Sequence, residues 1–127
     1  MSYIKVSDIK AKVAEGFQLQ DYILEADDAI EDLAESLGVR DTDDIETDPL
    51  HFKLKRYGVV YILMRLCQDK MGANDVAIDL TEKYLVQYGV YKKELVALKS
   101  EISREMVTGV VNQIGDRAVQ SGYVYRS

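Results

Sequence analysis

The feature that most constrains the fold is a run of apolar residues in the middle of the chain. From Tyr57 to Cys67 only Gly58 and Arg65 interrupt it. Apolar residues recur here at alternating steps of four and three, the spacing that keeps side chains on one helical face. One such row consists of Leu50, Leu54, Tyr57, Tyr61 and Met64. Because a helix that is apolar on almost every side must be covered by protein, the pattern predicts a buried central helix in an all-α domain.

Residues at both ends of this central helix are typical of helix termini. Asp48 is predicted to cap it and Pro49 to take its first position, where a missing N–H is no loss. Its end is predicted near Met71 and Gly72. Residues 59–64 alone could also form a buried strand, but the cap, the length and the flanking periodicity favour a helix.

A second helix is predicted by an apolar stripe that begins at Leu19 and ends at Leu37, followed by Gly38 as a left-handed stop. Its other face is acidic and has no lysine or arginine. The acids on it are Asp21, Glu25, Asp27, Asp28, Glu31, Asp32 and Glu35. Acids four residues apart repel each other by roughly 0.2–0.5 kcal/mol per pair. This face is therefore either simply solvated or in contact with a cationic partner.

Two further helices complete the predicted bundle. Ser7 is expected to cap a short helix that runs from Asp8 to Ala14, and Asn74 to cap a long one. The long helix has an apolar seam formed by Ala77, Leu80, Tyr84, Tyr88, Tyr91, Leu95, Leu98 and Ile102. Its tyrosines could stack on nucleic-acid bases, but the lack of interleaved arginine favours a packed seam.

The pattern changes after Arg104, where β-type residues are cut by glycines. We therefore predict one domain of about four helices at 1–104, followed by an extended C-terminal arm at 105–127 with room for a short β segment. The length of 127 residues suits a single domain. The longest apolar run is too short to span a bilayer, so a soluble protein without a membrane partner is expected.

No catalytic, metal or cofactor site is predicted. The only histidine, His51, lies more than four helical turns from the only cysteine, Cys67, which excludes a Cys–His pair within that helix. Cys67 lies in the most apolar stretch and is expected to be inert. The acidic loop from Val39 to Thr47 lacks the glycine and glutamate that a calcium loop needs. The chain is therefore not expected to be an enzyme.

Charge is distributed unevenly along the chain. The net charge is −6, but residues 1–50 hold fourteen acids and four bases, whereas residues 51–127 hold eight acids and twelve bases. The acids Asp21, Glu25, Asp28, Glu31 and Asp32 are therefore predicted to meet the bases Lys53, Lys55 and Arg56 of a neighbouring copy. Those bases fall in the first turns of the central helix, where the helix dipole disfavours them. A head-to-tail contact of this kind closes into a ring when the rotation allows.

The order of these elements resembles that of the bacteriophage head–tail connector family, also called head completion or adaptor proteins. The segments that carry the resemblance are Tyr3–Ile9, Glu25–Glu31, the acidic loop that ends in Asp48-Pro49, the apolar helix, and Tyr84–Lys93. The resemblance implies a helical subunit that forms a ring, usually a dodecamer, beneath the portal of the filled capsid. Its partners would be the portal protein and the tail or a second connector. DNA would pass through the ring without specific binding. The protein would occur in the virion and, during assembly, in the host cytoplasm.

The C-terminal arm is the predicted portal-docking segment, through Gly122, Tyr123, Val124, Tyr125 and Arg126. Tyrosines at alternate positions share a face in an extended chain, and tyrosine and arginine often dominate interfaces. The alternative is a frayed terminus that contacts nothing. The competing class of function is a stand-alone helical regulatory or nucleic-acid-binding module. The acidic first half of the chain and the lack of a basic recognition helix argue against that class.

Overall fold

The computed structural model describes residues 2–11, 17–71 and 78–110, and all regular secondary structure in these ranges is helical. The α-helices are α1 (Gln20–Ser36), α2 (Phe52–Met71), α3 (Ile78–Glu101) and α4 (Arg104–Thr108). Short 3-10 turns occur at Val6–Asp8 and Thr42–Asp44. The all-α bundle predicted from the sequence is confirmed. In the described part of the chain, no helix combines the length and apolarity needed to cross a membrane.

The central position of α2 is also confirmed, because α1, α3 and α4 all pack against it. Its buried residues point in every direction around the helix axis. They are Leu54, Tyr57, Gly58, Val59, Val60, Ile62, Leu63, Leu66 and Cys67. The seam of α3 faces this core as predicted, with Leu98 buried and Tyr91 and Leu95 packed against the buried residues.

The predicted start of α2 is wrong by three residues. Asp48 and Pro49 form a turn outside the helix, and the first helical residue is Phe52. His51 is the cap: its carbonyl oxygen accepts a hydrogen bond from the backbone N–H of Lys55 (2.9 Å), and its Nδ1 accepts one from the N–H of Lys53 (3.1 Å). A neutral imidazole nitrogen can therefore cap a free N–H here, as a carboxylate does at other helix starts.

α1 and α3 flank α2 on nearly opposite sides. Gly58 and Arg65 face α1, where Arg65 meets Glu25, whereas Arg56 faces α3. Positions two residues apart point roughly 200° apart around a helix, so the side containing Gly58 lies almost opposite the side containing Arg56. A Cβ atom at Gly58 would lie 2.6 Å from Cδ1 of Ile4, which shows how closely the N-terminal segment approaches α2 here.

α1 ends as its sequence predicts. Gly38 has φ +89°, the N–H of Val39 donates to the carbonyl of Ala34 (2.9 Å), and the N–H of Gly38 donates to that of Glu35 (2.9 Å). This pair of bonds is a Schellman motif, in which a glycine adopts the left-handed conformation without steric cost. The buried stripe of α1 consists of Ile23, Ala26, Ile30, Leu33 and Ala34.

The predicted helix from Asp8 to Ala14 does not form in its described part. Val6–Asp8 is a single 3-10 turn, and Ile9 is already extended, with φ −99° and ψ 102°. The Asp8 carboxylate accepts a hydrogen bond from the N–H of Lys5 (2.9 Å), which closes the turn. Ile4, with 1% of its surface exposed, anchors this segment in the core. Residues 12–16 and the predicted cap Asn74 lie outside the described residues.

α4 extends the helical fold beyond the boundary predicted at Arg104. Val107 is completely buried, and its carbonyl accepts a hydrogen bond from the N–H of Glu46 (2.8 Å) in the acidic loop. Ser103 caps α4 and Gly109 ends it with φ +72°. One helical turn is too short to show periodicity in a sequence, so only its packing reveals it. The predicted arm after residue 110 lies outside the described residues.

Candidate interaction surfaces

Most of the acids predicted to meet a partner lie on α1 outside its buried stripe. Among the described residues, Asp21, Asp28, Asp32 and Glu35 are exposed and form no ion pair. Leu24 lies among them with 52% of its surface exposed. This surface, the α1 outer face, consists of Asp21, Leu24, Asp28, Asp32 and Glu35. It combines an exposed apolar side chain with a surrounding set of carboxylates.

Two of the predicted contact acids have partners inside the chain. The Glu25 carboxylate pairs with Nε of Arg65 (2.8 Å) and ties α1 to α2. Glu31 accepts a hydrogen bond from the hydroxyl of Tyr3 (2.9 Å), which holds the N-terminal segment. The role of Glu25 and Glu31 in subunit contacts stays a prediction, but both already stabilise the monomer.

A groove of about 350 Å³ runs along α1 beside the central helix. Asp28 and Asp32 of α1 line it together with Tyr57 and Tyr61 of α2 and Lys99 of α3. Burial raises the pKa of both tyrosine hydroxyls, and Glu25 adds to the shift at Tyr61. The hydroxyls therefore stay neutral and can donate hydrogen bonds beside the carboxylates. A groove with this lining suits a cationic side chain.

The predicted basic cluster is engaged within the chain. Nζ of Lys53 lies 3.2 Å from the Glu101 carboxylate, and Nζ of Lys55 lies 3.8 Å from that of Asp8. Arg56 makes a bidentate pair with Glu94 on α3, at 2.6 and 3.0 Å. This pairing arises because α2 and α3 run antiparallel, which places the first turns of α2 beside the last turns of α3. The predicted subunit contacts of Lys53, Lys55 and Arg56 stay a prediction, and each of these bases has an acidic partner within the chain.

A further surface, which we did not predict from the sequence, lies on the side of α3 opposite its packed seam. Leu85, Val86, Val90 and Val96 are each 57–67% exposed. Lys92 and Lys93 are exposed between them and form no ion pair with the described residues. Gly89 is exposed in the same region. This surface, the α3 outer face, consists of Leu85, Val86, Gly89, Val90, Lys92, Lys93 and Val96.

The sequence contains a signal for the α3 outer face. Val86 and Val90 are four residues apart, and Leu85 and Val96 are eleven apart, so each pair lies on one side of the helix. These rows are separate from the seam formed by the tyrosines and leucines. An α3 helix that is apolar on two sides indicates two surfaces in contact with protein.

Reactive chemistry is not assembled in the described part of the chain. His51 caps α2, and Cys67 is fully buried, which raises the pKa of its thiol. No group of three or more histidine, cysteine, aspartate or glutamate side chains is placed to hold a metal ion there. The predicted docking residues Gly122, Tyr123, Val124, Tyr125 and Arg126 lie outside the described residues.

Their exposed apolar and charged side chains make these surfaces suited to contacts with other proteins. No protein-family model, curated protein or solved structure matches this chain.

Proposed function

We propose that this protein is a ring-forming head–tail connector, or adaptor, that docks on the portal vertex of a phage capsid and joins it to the tail. The α1 outer face is the observation that carries the proposal. It presents exposed carboxylates around an exposed Leu24, and none of those carboxylates is paired within the described residues. A helix face of this kind gains stability when a cationic surface of a neighbouring copy covers it.

The all-α architecture supports the same proposal. The described helices follow the order that suggested a connector: an anchored N-terminal segment, an acidic helix, an acidic loop, the apolar helix α2 and the long helix α3. The net charge of −6 disfavours binding to the phosphates of DNA. Genomic DNA would therefore pass through such a ring without specific contacts.

The ion pairs within the chain bear on which residues would form the proposed contacts between subunits. Asp21, Asp28 and Asp32 keep the acidic half of the proposed contact because they are exposed. Lys53, Lys55 and Arg56 have acidic partners in their own chain, so reversing their charge would disturb the fold as well as any ring. The cationic half must therefore come from exposed bases elsewhere.

The portal is the proposed partner of the C-terminal arm, through residues 122–126. The test is to delete residues 120–127 and measure attachment of the protein to portal-bearing, DNA-filled heads. We expect attachment to be lost. The melting temperature should stay nearly unchanged, because the deleted residues follow α4 and the buried Val107. A truncated protein that attached to heads and restored infectivity as well as the full chain would contradict the docking role.

A stand-alone regulator that binds nucleic acid is the competing function. Such a protein would bind duplex DNA with an affinity that falls steeply as salt rises. We expect no salt-dependent binding of this kind for the purified protein. A DNA complex with a steep salt dependence, together with failure to attach to portal-bearing heads, would favour the regulator over the connector.

A further inference from the structure

The α3 outer face is largely apolar, and none of the described residues covers it. Val86 and Val96 are 67% and 64% exposed, more than half of their available surface. Single exposed apolar side chains are common on protein surfaces, but a contiguous set on one helix face marks a contact site. The set extends over about three turns of α3, from Leu85 to Val96.

Gly89 lies in the middle of this face and packs against none of the described residues. A Cβ atom built on it would meet nothing within 4 Å, although glycine destabilises a helix interior relative to alanine. A shallow depression of about 430 Å³ lies here, lined by Gly89, Lys92, Lys93 and Val96. Glycine at such a position allows the backbone or side chain of a partner to approach closely.

We propose that the α3 outer face is the surface on which a second copy of this chain docks, and that the α1 outer face of that copy is what it binds. The inference rests on the self-assembly in the proposed function and names the two surfaces that form it. It replaces Lys53, Lys55 and Arg56 with Lys92 and Lys93 as the bases at the subunit contact.

Charge and apolar character both match between the two faces. Lys92 and Lys93 lie among the exposed apolar residues of α3 and form no ion pair with the described residues. Asp28 and Asp32 lie on the same face of α1 as the exposed Leu24 and form no ion pair among the described residues, although Lys99 lines the same groove. Docking places carboxylates against ammonium groups and buries Leu24 in the depression at Gly89. Opposite charges that meet at a partly desolvated contact give orientation as well as attraction.

The position of the two faces suits a repeating contact. α1 and α3 each pack against α2, so their outer faces are two different surfaces of the molecule. One copy can therefore offer its α1 outer face to one neighbour and its α3 outer face to another. A contact between two different surfaces is heterologous, and it produces rings or filaments rather than closed dimers.

Exchanging the charges of the two outer faces tests whether they bind each other. The variant Lys92→Glu/Lys93→Glu should bind itself about tenfold or more weakly than the unaltered protein in sedimentation velocity at low salt, because attraction becomes repulsion. Asp28→Lys/Asp32→Lys should lose a similar amount. The chain that carries all four substitutions should recover self-association, since the exchanged charges again face opposite ones. The matched control is Lys10→Glu/Arg40→Glu, which makes the same change in net charge at exposed residues on neither helix.

The Gly89→Leu variant tests the close approach. Because none of the described residues lies within 4 Å of a Cβ atom at Gly89, α3 should keep its fold in this variant. Self-association should fall by about tenfold or more. Self-association that is unchanged or stronger in Gly89→Leu, or a fourfold charge variant that stays monomeric, would overturn the inference. So would an unaltered protein that remains monomeric up to about 1 mM.

Cross-linking identifies the two surfaces directly. A Leu24→Cys variant and a Val90→Cys variant are treated with a short thiol-reactive cross-linker, alone and mixed; the native Cys67 is fully buried and does not interfere. Cross-linked dimers should form in the mixture and not in either variant alone. Dimers in each variant alone, or none in the mixture, would overturn the α1–α3 contact. If the mixture cross-links but the unaltered protein does not attach to portal-bearing heads, the connector function fails while this contact stands.

Discussion

α2 and α3 both have apolar residues around most of their circumference, but other helices cover α2 on more sides than they cover α3. α2 is covered by α1, α3 and α4, and apolar residues on every side of it are buried. α3 is covered on one side only, and its opposite side leaves four large apolar residues exposed. A helix that is apolar all round requires protein on all sides, but the sequence pattern does not say whether that protein belongs to the same chain. For α2 the cover is internal, and for α3 we expect it to be a neighbouring copy.

The glycines in the two helices illustrate the same difference. Gly58 of α2 faces Ile4 and Ile30, and a Cβ atom there would lie 2.6–3.1 Å from their side chains. Gly89 of α3 faces open space. A glycine inside a helix costs roughly 0.5–1 kcal/mol relative to alanine wherever it occurs. At Gly58 the close approach of two core residues offsets this cost within the monomer, whereas at Gly89 nothing in the described chain does.

The largest expected effect is on the core of α2. Leu63→Ala removes a side chain that is 1% exposed and should lower the free energy of unfolding by roughly 2–5 kcal/mol. Val90→Ala on α3 removes a side chain that is 58% exposed and should change it by less than about 0.5 kcal/mol. Urea denaturation at low protein concentration, where monomer prevails, measures both. Equal losses for the two variants would remove the distinction between a covered helix and a half-covered one.

Gly58→Ala should be destabilising despite its better helix propensity. The added methyl group overlaps Ile4, which is itself nearly buried, so the core must shift. Overpacking typically costs about 1–3 kcal/mol and the helix gains back about 1 kcal/mol, which leaves a net loss of up to roughly 2 kcal/mol. Thermal melts of the variant and the unaltered protein test this. A rise in melting temperature would show that Ile4 can move away without loss.

Gly89→Ala should have the opposite sign in the monomer. The methyl group meets nothing, so the unfolding free energy should rise by roughly 0.5–1 kcal/mol. Chemical denaturation of dilute protein, with Gly58→Ala as the matched substitution on the covered helix, gives the comparison. A loss of stability in dilute Gly89→Ala would contradict the conclusion that this position is uncovered within the chain.

The smallest expected effect concerns the polar rim between α1 and α2, formed by Tyr22 and Asp69. The Tyr22 hydroxyl donates a hydrogen bond to Asp69 (2.7 Å), and burial, this bond and the carboxylate charge raise the pKa of Tyr22 to about 12. Because the folded state favours the protonated hydroxyl, its stabilisation is complete below the ordinary pKa of 10.0 and is lost as the pH rises through 12. The α3 outer face has no such rim among the described residues.

Tyr22→Phe should therefore be slightly less stable than the unaltered protein at pH 8, by about 0.5–1 kcal/mol or less, since this hydrogen bond is exposed. The difference should shrink between pH 10 and pH 12. Urea denaturation of both proteins across this range measures it, and the other tyrosines titrate equally in each. A difference that grew with pH would contradict the raised pKa.

Several local features were not predictable from the sequence. Asp48 and Pro49 look like a helix start, but His51 supplies the cap through its ring nitrogen. The segment after Ser7 suggested a helix, but the Asp8 carboxylate bonds back to Lys5 and closes a single turn. In both places two local hydrogen-bonding arrangements compete, and the packing of neighbouring residues selects one of them.

The sequence by itself determined the all-α class, the central place of α2, the seam of α3 and the glycine end of α1, because these depend on periodicity and on backbone preferences of nearby residues. Only the tertiary structure decided which charges are free. The antiparallel packing of α2 and α3 pairs Arg56 with Glu94, and the turn at Asp8 engages Lys55. The same packing leaves Lys92 and Lys93 unpaired among the described residues, on a face that points away from the core. These two ion pairs join residues that are distant in sequence, so no spacing rule predicts them, whereas the apolar periodicity of each helix depends only on residues near one another in the sequence.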